Sequence, residues 1–221
     1  MDPHGRARAL QGPDELRRLF SLVLDQVHPD ALGLAYRLVG TGAALAQGVP
    51  LPAGDVDILV GRRGDVDRFA AGLSGFPCLD APGWLPEARQ YFARFRVDGT
   101  DVEISTVEWP AHTDTFECTG RGPWEHCVRV GFGSHVVPVV RLELRLVSEL
   151  VRNRPDRIAP LIEHMRVHGA DLPLLRRAMS EREVEPKLQA RVMEQLPLLC
   201  PACIRHQGTT DGSSRSGGAG C

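Results

Sequence analysis

The chain has 221 residues, 43% of them hydrophobic, and its 26 Lys+Arg against 28 Asp+Glu leave a formal charge of −2. That length accommodates one sizeable core with a smaller appendage, and the near-neutral balance argues against a large RNA or DNA footprint, which needs basic patches. The apolar runs are short and broken by charge, well under the roughly 20 residues of a membrane-crossing helix; the N-terminus lacks the apolar core of a secretory signal, and the six cysteines show no framework spacing through the main body, so a cytoplasmic, thiol-reduced protein without membrane association is expected.

Taken in chain order, Leu16, Leu19, Phe20, Val23 and Leu24 recur at helical intervals behind Asp14 and Glu15, which predicts an amphipathic helix over Pro13 to Val27. Tyr36 to Val39 reads as a short strand that stops at Gly40-Thr41-Gly42, and Ala43 to Ala46 as a short helix ended by Gly48 and Pro50. Asp55 to Val60 is β-branched and bounded by Pro52, Gly54, Gly61 and Gly64, hence a strand, and Asp65 to Leu73 a helix. Phe76 to Pro86 is rich in Pro and Gly and reads as irregular. Tyr91 to Val97 and Val102 to Val107 form a hairpin around Asp98-Gly99, and Cys127 to Val130 with His135 to Val140 another around Gly131-Phe132-Gly133.

Beyond that point the pattern turns helical: Leu142, Leu146, Val147, Leu150 and Val151 make one stripe, and further helices are expected between Pro155, Pro160, Gly169 and Pro173. The organisation expected is a mixed α/β (α+β) domain over 1–140, a small helical domain over 141–200 and a Gly/Ser/Thr-rich disordered tail over 201–221.

Side chains alternate faces along a strand, so Asp55 and Asp57 point one way while Val56, Ile58 and Val60 point into a core. Two adjacent carboxylates repel unless a cation lies between them, and hard oxygen ligands suit Mg²⁺ bridging substrate phosphates. The same parity in Asp101-Val102-Glu103-Ile104-Ser105 makes Glu103 a third carboxylate if the two strands lie side by side. Three such groups can position one or two Mg²⁺ ions at a phosphoryl centre. The amides of Gly40, Thr41 and Gly42, between strand and helix, are the candidate phosphate cradle.

With a Gly-Thr turn at Gly40 and Thr41, an Asp-x-Asp strand at Asp55 and Asp57, and a later acidic strand carrying Glu103, the chain resembles the polymerase-β-like nucleotidyltransferase superfamily, in particular its small bacterial antibiotic-type and toxin-type members. The resemblance runs from about Leu34 to Asp156 and takes in the Leu146 to Leu150 helix and the Arg154-Pro155-Asp156 turn. It implies a mixed sheet flanked by helices, two-metal catalysis, and transfer of a nucleoside monophosphate from an NTP, with ATP the expected donor, to an acceptor hydroxyl with release of pyrophosphate. Asp55 and Asp57 would ligate both metals, and Glu103 would bind the catalytic metal and orient or deprotonate the attacking hydroxyl. Where relatives often carry Lys in the following helix to meet the triphosphate, this chain has Glu149, with Arg145 and Arg152 nearby.

A small-molecule acceptor is favoured over tRNA or protein; the alternative is a non-catalytic nucleotide sensor or partner-binding protein on the same fold. Asp101 is read as belonging to the solvated Gly99-Thr100 turn, Arg62 and Arg63 as surface residues, and Arg94 and Arg96 as lining either the cleft or a solvent face. His126 beside Trp124 lies near an acceptor pocket or is simply packed, Trp84 and Trp109 fall in loop-like segments, and Cys200, Cys203 and His206 have the spacing of three zinc ligands without a fourth.

Overall fold

The computed structural model describes residues 7–196. Helix α1 (Pro13–Val27) opens with Pro13 behind Gly12, carries Asp14 and Glu15 in its first turn and ends at His28, in the left-handed region. Its stripe of Leu16, Leu19, Phe20, Val23 and Leu24 is buried as the periodicity predicts, and Phe20 meets Phe132 edge-on with centroids 5.1 Å apart.

Seven strands form one mixed sheet: β1 (Tyr36–Val39), β2 (Asp55–Val60), β3 (Cys78–Leu85), β4 (Gln90–Val97), β5 (Thr100–Val107), β6 (Cys127–Phe132) and β7 (His135–Val140), in the order β3-β4-β5-β2-β1-β7-β6. The central pairings are β2 antiparallel to β1 and parallel to β5. Asp98 and Gly99 both have positive φ, the conformation a two-residue hairpin turn demands, which fixes the β4–β5 register with Val97 opposite Thr100. Helix α2 (Gly40–Ala46) follows β1 directly, and α3 (Arg63–Gly72) packs beneath β2, β4 and β5, where Phe69 contacts Tyr36.

Four helices close the described chain: α4 (Leu142–Val151), α5 (Pro155–His168), α6 (Leu172–Glu181) and α7 (Pro186–Gln195). Asp171 caps α6, its carboxylate accepting the Leu174 N–H at 3.0 Å.

Several local expectations are corrected. The Pro/Gly-rich stretch read as irregular is β3, an edge strand whose register shifts twice against β4, and Pro82 is tolerated there because an edge strand has unpaired positions. The second hairpin turns at Gly133 and Ser134, with Phe132 paired to His135, so Gly131 and Phe132 belong to the strand. Pro160 lies inside α5 and separates nothing, whereas Pro155 opens that helix. Gly40-Thr41-Gly42 is the first turn of α2 rather than a loop before it. Cys78, Cys118 and Cys127 are free thiols, in line with the absence of a disulfide framework; Cys200, Cys203, His206 and the Gly/Ser-rich tail lie outside the described residues. No helix among the described residues is long and apolar enough to cross a membrane.

Candidate active site

The site is built on β2 and β5. Their parallel register sets Asp57 beside Glu103 and Asp55 beside Asp101, and paired residues on neighbouring strands share a face. Val56, Ile58, Val102 and Ile104, all nearly inaccessible, take the other face and anchor the strands in the core. The oxygens of Asp55, Asp57 and Glu103 lie within 4.8 Å of one another. These are the three carboxylates singled out in the sequence, brought together by strand parity and one register.

Their proximity has an electrostatic consequence. Burial, followed by the charges of Asp55, Glu103 and Glu117, pushes the Asp57 carboxyl up to about 8. Burial and then Asp55 raise Glu103 to about 7, with Arg94 opposing. A trio of half-buried hard oxygens whose own repulsion resists ionisation fits a divalent cation, which would relieve that repulsion and take oxygen ligands of this kind.

Gly40 closes the site from the β1 side. Its φ of +69° is a left-handed conformation, and a Cβ built there would stand 1.8 Å from Asp57 Oδ2, so only glycine lets the backbone lie against this carboxylate. The Gly40 amide donates to Glu117 Oε1 at 2.9 Å, and the Thr41 hydroxyl accepts from Arg157 at 2.8 Å; Gly40, Thr41 and Gly42 are all buried.

Glu117 carries no mark in the sequence, yet it is 2% exposed and central to a buried network. Arg145 donates to both its oxygens at 3.1 and 2.9 Å. Burial works against ionisation, but Arg145, the Ser148 hydroxyl and the Gly40 amide hold the carboxyl below its ordinary value. Arg37, fully buried, donates to the Phe116 and Glu117 carbonyls and lies under the Trp124 ring, 4.7 Å from its centroid. Glu149 is wholly buried and paired with Arg145, with Arg157 3.6 Å and Arg154 3.9 Å away. Glu149 is therefore an internal acid.

A cleft of about 890 Å³ opens beside Asp57, lined among others by Gly40, Asp57, Ser105, Arg145, Arg152 and Arg182. Arg182 stacks on Phe116 at 4.7 Å, and its guanidinium is made less basic by burial and by nearby Arg152. Arg89 and Trp109, 5.1 Å apart, also line the cleft.

The remaining polar residues singled out in the sequence have defined partners. Asp101 does not belong to a solvated turn: it sits in β5 and pairs with Arg96 across the β4–β5 ladder. Arg94 binds Asp80 at 2.7 Å and approaches Glu103 at 3.9 Å, so both β4 arginines serve the acidic face. Arg63 is committed to Glu108 through two bonds of 2.7 and 2.8 Å, and stacks on Trp84. His126 bonds Asp114, which also holds Arg177 of α6.

No family model matches the sequence, and no curated protein matches it. Solved structures do. A candidate nucleotidyltransferase from Thermotoga maritima superposes with a TM-score of 0.50 at 19% identity, covering 75% of this chain and 98% of its own. An antigenic nucleotidyltransferase-like protein from Paracoccidioides brasiliensis gives 0.48 at 14% identity, with 89% and 99% covered, and the antibiotic-resistance factor ANT(2'')-Ia gives 0.45 at 15%, with 83% and 94% covered. The first of these likenesses carries the assignment of the nucleotidyltransferase fold to this chain.

Proposed function

We propose that this chain, built on the nucleotidyltransferase fold, transfers a nucleoside monophosphate from an NTP to an acceptor hydroxyl, with Asp55, Asp57 and Glu103 as the Mg²⁺-binding and catalytic residues. The observation that supports this most directly is the convergence of one oxygen from each within 4.8 Å, with Asp57 lining a cleft that Arg152 and Arg182 also line. An acidic cluster and two arginines bordering one space of about 890 Å³ suit a ligand that is itself a metal-bound polyanion.

Asp55, Asp57 and Glu103 would hold Mg²⁺, and that ion would supply Lewis acidity to the phosphoryl centre and acidify the attacking hydroxyl. Glu103, beside the attacking hydroxyl, orients it or accepts its proton. The acceptor oxygen bonds to the α-phosphorus as the bond to the bridging oxygen breaks, and pyrophosphate departs. Arg152 and Arg182 hold the β- and γ-phosphates and then the departing pyrophosphate, the role for which relatives often use Lys. Gly40, Thr41 and Gly42 are the turn assigned to phosphate binding, of which Gly40 abuts Asp57 and lines the cleft. Residues within both 1–140 and 141–200 line this cleft, in keeping with a nucleotide site between a catalytic and a helical region. ATP is the donor implied by the family resemblance, and a small hydroxylated molecule the acceptor.

Pyrophosphate release from each NTP with Mg²⁺ across an acceptor panel tests this, with Asp57→Asn as control. Turnover that survives the substitution would sink the assignment. Tight nucleotide binding without turnover on any acceptor would instead support a nucleotide sensor.

A further inference from the structure

We infer that Glu117 is a positioning residue for this reaction, acting through the Gly40 amide on the Asp57 carboxylate; the inference rests on the nucleotidyl-transfer reading of the site. A buried carboxylate is costly unless its charge and lone pairs are used, and Glu117 uses its own on two groups that border Asp57: the Gly40 amide at 2.9 Å and Arg145 at 2.9 Å. Neutralising Arg145 does not by itself require Glu117, because Glu149 already pairs with that guanidinium one turn along α4. What Glu117 adds is the bond to Gly40.

That bond matters because of where Gly40 stands. Val39, at the N-cap of α2, has no side chain that can cap the helix, so the distant Glu117 carboxylate satisfies the first amide of the turn. Gly40 lies so close to Asp57 Oδ2 that no Cβ would fit between them. Glu117 itself is held from behind: Arg37 binds the Phe116 and Glu117 carbonyls, and the preceding loop is tied to α6 through Asp114 to Arg177 and through Thr113 and Thr115 to Glu181. The carboxylate is thus a fixed acceptor that holds the Gly40 backbone in the place where it abuts Asp57, which limits how that ligand can turn away from Asp55 and Glu103.

Two variants of the full chain separate this role from charge neutralisation. Glu117→Gln keeps the length and an acceptor oxygen for the Gly40 amide but loses the charge on Arg145; Glu117→Asp keeps the charge but withdraws it by one methylene, about 1.5 Å. Mn²⁺ affinity measured by calorimetry, on proteins checked for cooperative melting, is expected to stay within about threefold of the parent for Glu117→Gln and to weaken at least tenfold for Glu117→Asp. In turnover, Glu117→Asp should lower kcat with KM for the NTP little changed. Any other ordering of the two affinities, or failure of Glu117→Gln to fold, overturns the inference alone. A parent chain that binds no Mn²⁺ overturns the nucleotidyl-transfer reading and this inference with it.

Discussion

A single added methyl group at Gly40 gives the sharpest test of how tightly the site is packed. The Cβ of Gly40→Ala would fall 1.8 Å from Asp57 Oδ2 on a backbone at φ +69°, so either Asp57 rotates out of the carboxylate trio or the start of α2 shifts. The expected outcome is a loss of about 1–2 kcal/mol in stability from the backbone alone, with turnover reduced at least a hundredfold; parent-like Mn²⁺ binding and rate would show that the carboxylate has room to spare. Titration supplies a second test at this scale. Unfolded, Asp57 and Glu103 ionise near pH 4; folded and free of metal they do so near 8 and 7. Between those limits the folded chain retains protons that the unfolded chain has released, so the slope of stability against pH is negative for these groups. Their contribution is most favourable below about pH 4, declines through the interval, and is flat above about 8. In the presence of a chelator, Asp57→Asn should therefore gain melting temperature over the parent progressively from pH 5 to 8, and a gap that does not change with pH would contradict the raised carboxyl.

At the scale of elements, two helix ends carry the cations. Arg152 is the C-cap of α4 and Arg182 the C-cap of α6, where the negative end of each helix dipole favours a basic side chain. Arg182 is steadied by Phe116, while the charge of nearby Arg152 makes it less basic. Replacing either by Gln should raise KM for the NTP about tenfold, the scale of one lost charge-assisted phosphate contact, with a smaller change in kcat; an unaltered KM in both variants would remove them from the triphosphate site. The strand register places the acids more firmly than any loop could. Slipping β5 by one residue against β2 would turn Glu103 into the core and expose Ile104, so the buried pattern of Val102 and Ile104 defends the position of the metal ligand.

For the whole molecule, the clustered carboxylates are a source of instability that a bound cation would remove, so under the proposed function Mg²⁺ binding is coupled to folding. Saturation at about a hundred times the dissociation constant adds about 2.7 kcal/mol to a folded state that alone binds the ion. Mg²⁺ should accordingly raise the melting temperature of the parent and EDTA reverse the change, while Asp57→Asn should respond weakly; equal responses would put the ion elsewhere. The sequence by itself determined the alternation that aligned Asp55 with Asp57 and Glu103 with its strand's polar face, the Asp98-Gly99 turn that paired β4 with β5, and the amphipathic stripe of α1, because period, turn geometry and burial are encoded within a few neighbouring residues. Only the tertiary structure decided that the Pro/Gly-rich stretch is an edge strand, that Asp101 is spent on Arg96, and that Glu117, 77 positions from Gly40, supplies the anion at the start of α2. Those roles depend on which long-range partner reaches a buried polar group first, and no local pattern records the outcome of that competition.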